Sequence, residues 1–84
     1  MTITGIIKNI EHDNTFHEKK IVTLYPNKKE TVFIEFRGRN MALLSRVKQD
    51  DEIAVDVWFD AEISRKSGIR YNNIVACDLR KISV

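Results

Sequence analysis

Apolar and polar residues alternate along five stretches of this chain, and the alternation is interrupted once by a short run with helical spacing. In the third stretch Val32, Ile34 and Phe36 face one way and Phe33, Glu35 and Arg37 the other, the period-two signature of a half-buried strand. The fourth is clearer still, with Ile53, Val55, Val57 and Phe59 alternating with Ala54, Asp56, Trp58 and Asp60. The second places Lys20, Val22 and Leu24 on one face and Lys19, Ile21, Thr23 and Tyr25 on the other. The pattern predicts strands over 2–11, 18–25, 31–37, 52–63 and 69–82, and a helix over 39–47.

Turn formers punctuate these runs. Gly5 interrupts the first strand, where a glycine marks a bulge or bend. Residues 11–16 form a polar loop, and Pro26-Asn27-Lys28-Lys29 reads as a turn. Gly38 ends the third strand and Asn40 is placed to cap the helix. Met41, Leu44 and Val47, with Leu43 beside them, form that helix's apolar stripe and are expected in the core. Ser64-Arg65-Lys66-Ser67-Gly68 is a basic turn, and the last strand is long enough to cross two neighbours.

Five strands with a helix between the third and fourth is the order of an OB-fold, a five-stranded Greek-key barrel that binds oligonucleotides and oligosaccharides on one face. The expected class is therefore all-β, as a single domain over 1–84, with the helix plugging an open end of the barrel. An SH3-like barrel is the competing architecture. Order alone predicts where a ligand would lie, and the chemistry must come from the residues.

At 84 residues the chain has room for only a modest core, so dense packing or self-association is expected. One cysteine, Cys77, excludes an internal disulfide and, in a strand pattern, is expected as a small buried apolar residue. No stretch has the signature of a signal peptide or the length of a membrane span, so a soluble, cytoplasmic protein is expected. The histidines, His12 and His17, flank a loop without enough ligands around them for a metal site. No nucleophile elbow or phosphate-binding glycine loop occurs. The expectation is a binding protein with no cofactor and no catalytic residues.

The formal net charge of +2 says less than its distribution. Bases gather at strand ends and loops: Lys19, Arg37, Arg39, Arg65, Lys66 and Arg70. Single-stranded nucleic acid is held by basic grooves and by rings on which bases stack. Phe33 is the sharpest stacking candidate, outward on the third strand with Arg37 two steps along on the same face. Tyr25 at the hairpin end, Tyr71 after the basic turn and Phe16 at the first loop are further candidates. Trp58 also faces outward, but between Asp56 and Asp60, whose charge repels phosphate, so that an oligomer contact fits there at least as well as a stacked base. The bases would contact phosphates without reading sequence.

In Ile3-Thr4-Gly5-Ile6-Ile7, in Phe16 with Lys19 and Ile21-Val22, in Val32–Phe36, in Asp51-Glu52-Ile53-Ala54-Val55 and in Asn72-Asn73-Ile74-Val75-Ala76, the chain resembles the OB-fold single-stranded-DNA-binding proteins. More narrowly, it resembles a small bacterial and phage family of SSB-like domains. The resemblance implies sequence-independent binding of single-stranded DNA in replication, recombination or repair, often as a homo-oligomer, and it adds support for Phe16 and Lys19 as contacts. RNA stays open as a ligand. Two positions depart from that family. Asp50 stands where it tends to carry a turn glycine, and Cys77 where an aromatic is expected. The alternative reading is a protein-interaction or oligomerisation module in which Phe33 and Trp58 form the interface and the bases are solvent charge.

Overall fold

A computed structural model describes residues 1–15, 17–63 and 65–82, with the side chains of Glu62 and Tyr71 left aside. The molecule is mostly β, with strands β1 (Thr2–Asp13), β2 (Lys19–Tyr25), β3 (Val32–Arg37), β4 (Glu52–Ile63) and β5 (Arg70–Lys81). A 3-10 helix, Gly38–Arg46, lies between β3 and β4. The strands follow the order β1-β2-β3-β5-β4, and β4 pairs again with β1, so the sheet closes into a barrel. All neighbours are antiparallel except β3 and β5, which run parallel through Ile34–Ile74 and Glu35–Val75.

The inward face of the alternating strands makes the core. Ile7, Val22, Leu24, Ile34, Phe36, Ile53 and Val55 are completely buried, and Leu44 from the helix joins them while Met41, Leu43 and Val47 pack against the cluster half-buried. Helical spacing was expected there, and the structure makes the helix a 3-10 one. With three residues per turn, Met41, Leu44 and Val47 fall on one edge, which is the edge laid over the barrel's core. Gly38 opens the helix at φ +55°, a conformation that side chains resist. Asn40 does not cap it: Arg37 occupies the cap position without a side-chain hydrogen bond. Instead the Asn40 Nδ2 donates to the Ala76 carbonyl at 3.2 Å and ties the helix to β5.

β1 is shared by both halves of the barrel. Its first residues pair with β4 and its later ones with β2, with Ile6 opposite both Glu52 and Tyr25. Gly5 sits at this crossover. A Cβ there would lie 2.6 Å from the Tyr25 carbonyl oxygen and 2.9 Å from the Leu24 Cγ, so close approach of two backbones is what requires the glycine. The accompanying bulge comes three residues later, where Ile7 pairs with Leu24 and Asn9 with Thr23, leaving Lys8 as the extra residue.

A second bulge corrects the expectation for Cys77. Asp56 pairs with Asp78 and Val57 with Ala76, which leaves Cys77 between them without a partner residue on β4. The extra residue shifts the alternation, so Val75 and Ala76 are both buried while Cys77 and Asp78 are both exposed. The Cys77 Sγ donates to the Asp56 carbonyl at 3.2 Å. Beyond Trp58, β4 and β5 leave the barrel as a two-stranded ribbon from Asp60–Asn73 to Ile63–Arg70, which gives the molecule its extent of 45 × 28 × 20 Å. Phe59, expected inside with Val57, is exposed at the root of this ribbon because no further layer covers it. No helix of the described residues is long and apolar enough to cross a membrane.

Candidate nucleic-acid interface

The outer face of β2 and β3 carries two columns of side chains in register. Lys19 stands opposite Arg37, Ile21 opposite Glu35, and Thr23 opposite Phe33. Tyr25 continues the β2 column to the hairpin end, opposite Ile6 of β1. Phe33 is 61% exposed and Tyr25 40%. The turn below is held by Asn27, whose Oδ1 accepts from the Lys29 and Glu30 amides at 2.8 and 3.1 Å.

An open depression of about 340 Å³ lies against this face. Ile21, Thr31, Val32, Phe33 and Glu35 line it from β2 and β3, and Asn72, Asn73 and Ile74 from β5. It exists because β3 and β5 pair only at Ile34–Ile74 and Glu35–Val75 and separate toward their starts. The β5 half of the ribbon is thus its second wall, and Arg70 stands two residues before Asn72 on that strand.

The charges here are coupled to one another. Lys19 Nζ lies 3.0 Å from Glu35 Oε1, and Arg37 Nε reaches the same oxygen at 3.2 Å. The Nη1 of Arg37 donates to Asp60 Oδ2 at 2.9 Å, bridging β3 to β4. Burial pulls the Arg37 pKa down, but the hydrogen bonds to Asp60 and Glu35 outweigh it and leave the guanidinium with a raised pKa. Lys19, Arg37, Glu35 and Asp60 together carry no net charge. Glu35 is only 9% exposed although it lies on the outward face, and its two cationic partners explain how a carboxylate is held there.

The remaining candidate bases are elsewhere and less constrained. Arg39 is exposed at the start of the helix, just past Arg37. Arg65 and Lys66 are exposed in the turn at the ribbon's tip, and Arg70 is exposed at the start of β5. None of these four forms an ion pair among the described residues. The structure therefore brings Lys19, Phe33 and Arg37 to one face, sets Tyr25 at its far end, and puts Arg65, Lys66 and Arg70 on the ribbon beside it. Phe16 and the Tyr71 side chain lie outside the described residues.

Near the first loop, Asp13 accepts from the Thr15 amide at 2.9 Å and the Thr15 hydroxyl at 2.7 Å. These bonds, backbone first, hold its carboxyl below the usual range. His12 Nε2 lies 3.0 Å from Glu18 across the same loop.

Trp58 of β4, 48% exposed, pairs with Val75 of β5, and Phe59, Ile63 and Ile69 are also exposed along the ribbon. Two contributions escaped the sequence. Glu35 neutralises the face, and Asn72 and Asn73 form its second wall. Both follow only from strand register, which alternation within one strand does not carry. Comparison with known families and with curated proteins found no family model and no protein that matches this chain.

Proposed function

We propose that this chain is an OB-type barrel that binds single-stranded DNA without sequence preference. The observation that carries the reading is Phe33, 61% exposed on the strand face that borders the open depression, with Lys19 and Arg37 in the same two columns. In this reading Phe33 and Tyr25 stack bases. Arg39, Arg65, Lys66 and Arg70 meet phosphates, with Lys19 and Arg37 as further contacts. Asn72 and Asn73 offer amide groups to a nucleotide lying in the depression. The protein acts by holding a strand, and no catalytic group is assigned to it.

Anisotropy of a labelled oligothymidine tests it, with duplex DNA as competitor. Micromolar binding that weakens with salt and resists duplex supports the reading. Phe33→Ala is expected to weaken that binding by about 5- to 150-fold, the range of one lost stack, with an unchanged melting temperature. Equal affinity in the variant removes Phe33 from the site.

The ribbon favours a second reading. Trp58, Phe59, Ile63 and Ile69 leave apolar surface open on a two-stranded element, and such elements are marginally stable alone. A self-associating interaction module would cover them. Absence of oligothymidine binding at low salt leaves that reading in place.

A further inference from the structure

The four charges on the candidate face are arranged so that acids already pair with the cations a phosphate would contact. Glu35 takes both Lys19 Nζ, at 3.0 Å, and Arg37 Nε, at 3.2 Å. Asp60 takes the Arg37 Nη1 at 2.9 Å. All four side chains are partly buried, from 11% exposed for Glu35 to 35% for Arg37, so these pairs are less screened than those on an open surface. Phe33 precedes Glu35 by two positions on the same face, and Glu35 itself lines the depression. A strand stacked on Phe33 would bring a polyanion against a carboxylate whose cationic partners face inward to it.

We propose that Glu35 and Asp60 act as built-in competitors of phosphate, which hold Lys19 and Arg37 in intramolecular pairs and set the affinity of this face for single-stranded nucleic acid below what its bases would otherwise give. The inference rests on the binding reading above. Each phosphate that contacts Lys19 or Arg37 must share that cation with a carboxylate already bonded to it, or displace it, and Glu35, nearly enclosed, stays on the face as it does. Weak, readily released binding is the result. Exposed or partly exposed pairs of this kind contribute little individually, so the restraint is modest and adjustable.

The test compares the 84-residue chain with its Glu35→Gln and Asp60→Asn variants by anisotropy on labelled oligothymidine over a series of salt concentrations. Glu35→Gln is expected to bind about 3- to 10-fold tighter at low salt. Its log–log salt dependence should steepen, by about 0.7 for each additional phosphate that the freed bases neutralise. Asp60→Asn should shift both in the same direction by less, because Arg37 keeps its bond to Glu35. Asp78→Asn is the control for a general loss of negative charge, since Asp78 stands opposite Asp56 in the β4–β5 ladder. It should leave affinity within about twofold.

Unchanged or weaker binding by a folded Glu35→Gln overturns the proposal, as does an equal tightening by Asp78→Asn. If Glu35→Gln loses its cooperative melt, Asp60→Asn decides, and an unaltered affinity there overturns it too. Should none of the proteins bind, the binding reading itself fails and the competitor role falls with it. That outcome is distinct from a wild type that binds and variants that bind no better.

Discussion

A methyl group at position 5 would sit 2.6 Å from a backbone oxygen of β2, a contact that no rotation relieves. Gly5→Ala must push β1 away from Tyr25 at the residues where β1 passes from one half of the barrel to the other. The expected cost is about 1–3 kcal/mol, as for other overpacked sites, read as a fall in the urea midpoint. Asp56 is sensitive in another way. The Thr2 hydroxyl and then Arg80 hydrogen-bond its carboxylate and lower its pKa below the ordinary 3.8. A carboxyl depressed in the folded state stabilises the protein above its unfolded pKa, and that contribution disappears as pH falls through the folded value. Thr2→Val removes the leading cause, so its Asp56 should titrate at higher pH by NMR. Its melting temperature should also fall less than that of the wild type as pH drops from about 5 to about 2.

At the scale of elements, alternation tells which side of a strand a residue takes and nothing about how far the sheet continues. It placed Ile34, Phe36, Ile53 and Val55 inside, where they are fully buried. It failed at Phe59, which is on the expected side of β4 but past the end of the barrel. It failed differently at Cys77, where one extra residue in β5 reverses the phase, and no composition signal marks such a bulge. Turn chemistry was legible at Asp50, read as standing in for a glycine, which takes φ +77° while its amide donates to the Ile7 carbonyl at 2.8 Å. Of the site, the outward position of Phe33 was legible from its own strand. The pairing of Lys19 and Arg37 with Glu35 was not, because it depends on which residues two strands set side by side. The bulge gives a direct check: Cys77 should react with a thiol reagent in the native protein without denaturant, at a rate close to that of the unfolded chain. Protection until unfolding would restore the buried position that alternation implied.

For the whole molecule, a formal net charge of +2 supplies little long-range attraction for a polyanion. Affinity for single strands must then come from individual contacts, and the number of contacts is measurable. Six bases were candidates from sequence. Two of them, Lys19 and Arg37, are engaged by carboxylates, and the other four have no ion pair among the described residues. Each phosphate neutralised on a single strand contributes about −0.7 to the slope of log affinity against log salt. Four contacts place the wild-type slope at about −3, and all six would place it at about −4. Titrations of oligothymidine at several sodium chloride concentrations separate these values. The shallower slope leaves Lys19 and Arg37 in their pairs when DNA binds, so the ribbon and the helix start supply the electrostatic attraction. The steeper one means that the strand reaches Lys19 and Arg37 against the competition of Glu35 and Asp60 and lies directly across β2 and β3. A slope near zero removes phosphate contact altogether, and with it the reason for bases at both ends of the face.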